Sequence, residues 1–243
     1  TFTDENEDER VAHTTSWGLS WRALGALVMT HSDDQGLVLP PTMAPEQVVI
    51  VPIWQEETKD DVLTYAENIA DDLQEVGLRV ELDDRDEHNP GFKFNEWELK
   101  GVPLRIEIGP NEVEEATTTL VHRPDGESTE ADREGIVEAV RGHLDTVHAK
   151  LYATAEENLT ENVREASDRA EILGTIGQHG GYVKAPWCGD EDCEAAIKEQ
   201  VAAEIVLVPF EGDESDTEPI HEGETCALCE DDAVETAYFA RSY

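Results

Sequence analysis

Runs of apolar residues divide the first half of the chain into predicted strands and helices. Residues 47–53 form a continuous β-branched run between prolines, which predicts a strand buried on both faces. Apolar residues then recur at helical spacing through residues 62–76, where Thr58 is suited to begin the helix and Gly77 to end it. A second apolar strand at residues 78–82 completes a strand–helix–strand unit, for which we expect a right-handed crossover.

The stretch over residues 82–110 is the most densely patterned part of the chain. An acidic turn leads to a breaker at residues 89–91, a helical segment at 92–99 and an apolar strand at 102–108. A threonine-rich segment at 116–121 predicts a further strand. This order predicts an α/β fold with a mostly parallel sheet and helices on both faces, in which ligand sites commonly lie at strand ends.

Further elements are predicted on either side of this stretch. The apolar spacing in residues 21–29 suits a buried helix, and residues 37–41 resemble a short strand stopped by two prolines. Apolar residues over 136–151 predict a long amphipathic helix, and an acidic helix is expected over 159–173. The last part of the chain is expected to hold strands at 181–185, 204–210 and 234–243, a helix at 193–203 and an acidic loop at 211–219.

The net charge of the chain is typical of proteins that work in concentrated salt. The sequence carries 57 acidic against 17 basic side chains, a net charge of -40, and the acids are spread over the whole length. Such a surface resembles those of proteins adapted to molar salt, where self-repulsion is screened within roughly 3 Å. The sequence has no apolar run near the roughly 20 residues that span a bilayer. We therefore expect a soluble protein of a haloarchaeal cytoplasm.

The four cysteines form two close pairs, Cys188-x4-Cys193 and Cys226-x2-Cys229. In a reducing compartment this spacing favours a tetrahedral four-thiolate zinc site, because each short loop lets two thiolates reach one ion. A dithiol redox pair and two buried free cysteines are the alternatives. The sequence predicts structural zinc, with no open position for catalysis.

Glu98 and Arg105 are the residues best suited to recognise a base. A carboxylate can accept hydrogen bonds from N1 and N2 of guanine, and an arginine can donate to O6 and N7, provided that the base is unstacked. The alternative is an ion pair between a helix and the neighbouring strand. Basic residues are interleaved with acids around this pair, so generic phosphate binding is weakly indicated.

Two segments resemble the archaeal-type prolyl-tRNA synthetases, which are class II enzymes. The run TSWGLSWRALGALVMTHSDDQGLVLPP is similar to their motif 3 region, which implies that Arg22, with Trp17 and Gly18, contributes to ATP and substrate binding; Ser32 and Gln35 depart from the family pattern. The run DDRDEHNPGFKFNEWELKGVPLRIEIGP is similar to their anticodon-binding domain. This resemblance implies that Glu98 and Arg105 contact the two guanines common to proline anticodons.

The resemblance also implies a domain organisation. Residues 1–46 would be the end of the class II catalytic domain, 47–150 an α/β anticodon-binding domain, and 151–243 a small α/β zinc-binding domain ending in Tyr243, whose carboxylate reaches toward the active site. The implied function is proline–tRNA ligase, with ATP and magnesium as cofactors, proline and tRNA-Pro as substrates, and a homodimer in the complete enzyme. Motifs 1 and 2 are absent from the 243 residues, so this chain alone is predicted to be inactive. A non-catalytic tRNA-binding accessory protein is the alternative.

Overall fold

The computed structural model describes residues 1–209, 224–229 and 231–241. It divides into two compact units, Thr1–Ala153 and Thr154–Tyr243. The helices are α1 (Arg22–His31), α2 (Lys59–Glu75), α3 (Pro90–Lys100), α4 (Pro110–Glu115), α5 (Ile136–Glu161), α6 (Arg169–Gln178) and α7 (Glu191–Val201). The strands are β1 (Phe2–Thr3), β2 (Glu9–Arg10), β3 (Val48–Pro52), β4 (Val80–Leu82), β5 (Leu104–Ile108), β6 (Thr117–His122), β7 (Ser128–Asp132), β8 (Val163–Glu165), β9 (Tyr182–Trp187), β10 (Ala203–Leu207) and β11 (Glu235–Arg241).

A five-stranded sheet of order β4-β3-β5-β6-β7 organises the first unit. The predicted strand–helix–strand unit is confirmed, since β3 runs parallel to β4 with α2 between them. Strand β3 is also parallel to β5, but β5, β6 and β7 are antiparallel. The sheet is therefore mixed, and the prediction of a mostly parallel sheet was wrong. The eight residues between β5 and β6 are too few for a parallel crossover, which needs a dozen or more.

The core of the first unit has two layers because β3 is buried on both faces. One face packs on α2 and α5, where the buried side chains include Val48, Ile50, Ile69, Leu104, Ile106, Val140 and Leu144. The opposite face packs on α3, where Val49 and Val51 meet Trp97 and Val102. In β5 the burial alternates, so Leu104, Ile106 and Ile108 face the main core and Arg105 and Glu107 face the side of α3.

Helix α3 begins at the residues that were predicted to break the chain. Asn89 is its N-cap and accepts a hydrogen bond from the backbone N–H of Phe92 at 2.9 Å, and Pro90 is the first helical residue. Gly101 ends the helix in the left-handed conformation, with φ of 75°. A β-carbon at Gly101 would lie 2.6 Å from the carbonyl oxygen of Leu37. The glycine thus ends the helix and also allows the N-terminal segment to pass close to it.

The N-terminal segment departs from its predictions. Helix α1 forms where expected, but none of its residues is buried, and Leu24, Val28 and Met29 are 39–73% exposed. Apolar spacing defines a shared face, whereas burial needs a second element to cover it. Residues 37–41 form no strand: the N–H groups of Leu37 and Leu39 donate to the carbonyls of Leu99 and Gly101 at the end of α3.

The second unit contains a four-stranded sheet of order β10-β11-β9-β8, with α6 and α7. Val183, Ala237 and Phe239 from the sheet pack with Ile172, Ile176 and Ile197 from the helices. The predicted acidic helix at 159–173 was wrong, because α5 continues to Glu161, β8 follows, and Asp168 caps the start of α6. The predicted acidic loop at 211–219 lies outside the described residues. Within the described ranges, no helix combines the length and apolarity needed to cross a bilayer.

Candidate nucleic-acid interface and metal centre

A cavity of about 150 Å³ lies in the first unit beside the C-terminal half of α3. It brings together Glu98 and Arg105, the two residues that the sequence singled out for base recognition. Its lining residues come from α3, β3, β5, β6 and the turns that follow: Val49, Trp97, Glu98, Val102, Arg105, Val121, His122, Arg123 and Gly126.

Arg105 is held in place from two sides. Its Nε donates to Oε1 of Glu107 at 2.9 Å, two residues along the same strand face. Its guanidinium lies 4.3 Å from the centre of the Phe94 ring on α3. The ion pair of Arg105 is therefore with Glu107, and the predicted alternative of a Glu98–Arg105 pair does not occur among the described residues. The side chain of Arg105 remains 20% exposed, so the guanidinium is fixed but accessible.

Glu98 presents a carboxylate that makes no hydrogen bond or ion pair in the part of the chain that the structure describes. Its backbone is anchored instead, because its carbonyl oxygen accepts a hydrogen bond from Nε of Arg123 at 2.8 Å. The preceding residue, Trp97, is buried and donates from Nε1 to Asp83 at 2.7 Å. A fixed backbone and a free carboxylate suit a residue that binds a ligand.

Arg123 was missed by the sequence interpretation, although it is central to this cavity. It is buried, and its Nη1 and Nη2 each donate to Asp33 at 2.8 Å. The hydrogen bonds from Arg123 are the main reason that the pKa of Asp33 falls to about 2. Arg123 thus joins the N-terminal segment to the end of α3. A lone arginine directly after a buried strand was the only available signal.

A buried ionic network around Asp83 holds α3 through Lys93 and Trp97. The Asp83 carboxylate is inaccessible and accepts hydrogen bonds from Arg85 and Trp97, and Lys93 lies 3.6 Å from it. The Lys93 ammonium, 2% exposed, also donates to the backbone carbonyl of Asp83 at 2.8 Å. Burial alone would raise the pKa of Asp83, but the hydrogen bonds from Arg85 and Trp97 and the charge of Lys93 hold it well below its usual range.

The residues predicted to bind ATP lie elsewhere in the first unit. Trp17 is 96% exposed, and a β-carbon at Gly18 would meet no atom within 4 Å. Arg22 is exposed at the start of α1, and its backbone N–H donates to Ser20. Of the two residues that depart from the family pattern, Ser32 accepts from the N–H of Val38 and Gln35 is exposed. Tyr243 lies outside the described residues.

The four cysteines converge in the second unit, as their spacing predicted. Cys188 follows β9, Cys193 lies in the first turn of α7, and Cys226 and Cys229 lie in a turn before β11. The four sulfur atoms lie within 4.8 Å of one another, and Sγ of Cys188 is 3.7 Å from both Cys193 and Cys229. A disulfide would require about 2.05 Å. A tetrahedral zinc site with Zn–S of about 2.3 Å places its sulfurs about 3.8 Å apart.

The chemistry of the thiols also fits a metal. Burial raises the pKa of Cys193, with a further contribution from its thiol neighbours. Burial acts in the same sense on Cys226, but N–H groups such as that of Leu228, 3.4 Å from its sulfur, outweigh it and lower its pKa. Four adjacent thiolates repel one another, so a bound cation is needed to stabilise them together. The cluster can therefore hold a metal ion.

Two stretches of the chain match known families. Residues 47–143 match the family described as an anticodon binding domain. Residues 169–243 match the family described as the C-terminal domain of prolyl-tRNA synthetase. Over all of its 243 residues the chain is 73% identical to the proline–tRNA ligase of Halorubrum lacusprofundi. The chain is therefore similar to prolyl-tRNA synthetases over its whole length. Neither family match includes residues 1–46, so their assignment to a catalytic domain stays a prediction, as do the domain boundaries drawn from the sequence.

Two further proline–tRNA ligases show the same extent of similarity. The proline–tRNA ligase of Haloarcula marismortui is 67% identical over 243 residues, and that of Thermococcus kodakarensis is 40% identical over 242 residues. In each case all of this chain is covered, but only 49–50% of the relative. The chain thus spans about half the length of the curated relatives that it matches.

Proposed function

We propose that this chain is the anticodon-reading and C-terminal part of a proline–tRNA ligase, which activates proline with ATP and transfers it to tRNA-Pro. The cavity that contains Glu98 and Arg105 carries this proposal, since it lies in the domain that matches an anticodon-binding family. A non-catalytic accessory protein is not favoured, because the similarity to proline–tRNA ligases extends over the whole chain.

The two side chains suit the two edges of an unstacked guanine. The free carboxylate of Glu98 can accept hydrogen bonds from N1–H and N2–H of guanine. Nε and Nη2 of Arg105 contact Glu107, and Nη1 has no protein acceptor within the described residues, so Nη1 can donate to a base. Phe94 holds the guanidinium plane in position. Because Glu107 and Phe94 already hold Arg105, this side chain loses little entropy when a base binds.

Modified anticodon stem-loops test this proposal. A guanine replaced by inosine loses the N2 donor, and one replaced by 7-deazaguanine loses the N7 acceptor. We expect each replacement to weaken binding to the unmodified chain at one anticodon position, by about 1–3 kcal/mol for a full bidentate contact. Glu98→Gln should become less sensitive to inosine, because its amide keeps only one of the two acceptor oxygens, and Arg105→Met should become insensitive to 7-deazaguanine.

Matched variants exclude a general charge effect. Glu114→Gln and Arg141→Met change the same charges at exposed positions outside the cavity lining, and we expect both to discriminate guanine normally. Equal sensitivity of Glu98→Gln and Glu114→Gln to inosine would contradict the assignment of Glu98.

The activation step is proposed to need more than these 243 residues. We propose that Arg22, with Trp17 and Gly18, contributes to an ATP and magnesium site, in keeping with their accessibility. Motifs 1 and 2 are absent from the sequence. We therefore expect no proline-dependent exchange of pyrophosphate into ATP by this chain, and exchange at the rate of a complete enzyme would contradict this view.

We propose that the cysteine cluster binds zinc, which would stabilise the second unit by joining the end of β9, helix α7 and the turn before β11. Protein purified without chelator should contain about one zinc per chain, and Cys193→Ser should lower that content. Metal content well below one per chain would overturn the proposal. Apparent binding energies of structural zinc are about 10–16 kcal/mol in small domains, so chelation should lower the unfolding temperature of the second unit.

The family resemblance supports three further proposals. The complete enzyme is a homodimer, it acts in the cytoplasm, and the carboxylate of Tyr243 reaches toward its active site. Sedimentation of the complete enzyme in molar KCl measures whether it is a homodimer. Removal of Tyr243 from the complete enzyme tests the third, since the aminoacylation rate should fall while stem-loop affinity stays unchanged.

A further inference from the structure

A buried histidine nitrogen lies beside two carboxylates at the turn between β6 and β7. His122 ends β6, and its side chain is 2% exposed. Its Nδ1 is buried and has no hydrogen-bond partner among the residues that the structure describes. That nitrogen lies 3.8 Å from Oδ1 of Asp125 and 4.0 Å from Oε2 of Glu127. These distances are too long for hydrogen bonds, so the local protein groups leave the nitrogen unsatisfied.

The second ring nitrogen of His122 determines what Nδ1 can do. Nε2 of His122 lies 2.6 Å from Nδ1 of His143. If Nε2–H donates to His143, a lone pair on Nδ1 of His122 faces the two carboxylates. A neutral imidazole whose other N–H is held by a hydrogen bond is the form that binds metals.

The two carboxylates already attract a cation. Nζ of Lys150, on α5, is 2.6 Å from Oδ2 of Asp125 and 2.5 Å from Oε2 of Glu127. The hydrogen bond from Lys150 lowers the pKa of Glu127, and it offsets the effect of burial at Asp125. Lys150 is 38% exposed, so its flexible side chain can leave the carboxylates for solvent. An ammonium does not use the lone pair on His122, whereas a metal ion does.

We propose that His122, Asp125 and Glu127 bind a divalent transition-metal ion, which displaces Lys150 from the carboxylates. One ligand atom from each residue lies within 4.8 Å of the others. Ligands at about 2.0–2.2 Å from one ion are separated by roughly 3–4.3 Å, so small side-chain movements in the exposed turn suffice. One imidazole and two carboxylates are a donor set that accepts Mn²⁺, Co²⁺ or Zn²⁺, with water in the remaining positions.

Mn²⁺ is the probe for this site, because thiolates select softer metals and the cysteine cluster competes weakly for it. Titration of the whole chain in molar KCl screens binding to the general acidic surface. We expect one Mn²⁺ per chain by electron paramagnetic resonance, and paramagnetic broadening of the His122 and His143 ring signals before those of the other histidines. Broadening without preference for these two rings would overturn the proposal.

Variants separate this site from the acidic surface around it. Asp125→Asn and Glu127→Gln alter an exposed turn and should each weaken Mn²⁺ binding about tenfold, whereas Glu130→Gln on β7 changes the same charge outside the cluster and should leave it unchanged. Lys150→Met removes the competing ammonium and should tighten binding severalfold. Weaker binding by Lys150→Met, or an equal effect of Glu130→Gln, would refute the site. His122→Asn adds a direct test if the variant folds.

The site borders the cavity of Glu98 and Arg105, since His122 and Gly126 line that cavity as well. A bound divalent ion would add positive charge beside a cavity in a strongly acidic protein. We expect Mn²⁺ to raise the affinity of the unmodified chain for the anticodon stem-loop a fewfold. The affinity of Asp125→Asn for the stem-loop should not change when Mn²⁺ is added. This step rests on the proposed anticodon function: an unchanged stem-loop affinity in the Mn²⁺-bound protein refutes the role, while absence of Mn²⁺ binding refutes the site itself.

Discussion

Replacement of Asp83 by asparagine tests how the helix that carries Glu98 is held. The asparagine keeps the size of the side chain but removes the charge that compensates Lys93, which is 2% exposed. It also replaces an oxygen that accepts from Trp97 or Arg85 with an amide that donates. Breaking one side of a buried charge pair typically costs about 3–5 kcal/mol. The buried network of Asp83 places the expected loss in that range.

Urea unfolding in constant molar KCl measures this loss. With an m-value of about 2 kcal/mol per M, the midpoint should fall by roughly 1.5–2.5 M. Asp84→Asn changes the same charge at the adjacent exposed position. It should change the unfolding free energy by less than about 0.5 kcal/mol. Equal midpoints for the two variants would show that the network does not stabilise α3.

The same variant has a defined pH dependence. The pKa of Asp83 in the folded protein is held below its unfolded value. Its contribution to stability is therefore fully present above the unfolded pKa of about 4 and is lost as the pH falls through the folded pKa. The difference in unfolding free energy between the unmodified chain and Asp83→Asn should be constant from pH 7 to 5 and should shrink below pH 4.

Three further predictions concern Arg123, Asp33 and the salt dependence of stem-loop binding. Arg123→Met removes the charged hydrogen bonds to Asp33 and the hydrogen bond to the Glu98 carbonyl. It should therefore lower the unfolding free energy by about 2 kcal/mol in urea and weaken stem-loop binding in a fluorescence titration. The control Arg141→Met should change neither the unfolding free energy nor the stem-loop affinity. Because the pKa of Asp33 is about 2, its stabilisation should be present above pH 4 and vanish as the pH falls through 2, a loss that Asp33→Asn should not show. Stem-loop affinity should depend weakly on KCl concentration, since base contacts release few counterions; a slope that corresponds to many phosphate contacts, at about 0.7 per phosphate, would contradict this.

The elements that sequence predicted well are those whose pattern is local. The β-branched run of β3, the spacing of α2 and the two cysteine pairs each depend on a few adjacent residues, and the structure has them as predicted. The direction of β6 was not predictable in this way, because apolar alternation is the same in parallel and antiparallel strands. The length of the β5–β6 connection carried that information.

The contacts around the cavity could not be predicted, because they join distant parts of the chain. Arg123 meets Asp33 across 90 positions, and Asp83 meets Trp97 across 14. Charged residues of an acidic chain look alike in sequence, and only the fold distinguishes the buried Lys93 from exposed bases. The proposed base-reading pair followed from a family resemblance, whereas its anchoring residues followed from the structure alone.

The bond between Arg123 and Asp33 has an evolutionary consequence. Arg123 is buried and Asp33 is partly exposed, so a replacement of Asp33 alone leaves an uncompensated buried guanidinium. An acidic residue at position 33 should therefore be kept in related sequences wherever position 123 is an arginine. A chimera that joins residues 47–153 of this chain to the preceding segment of a relative must take residues 33 and 123 from the same parent.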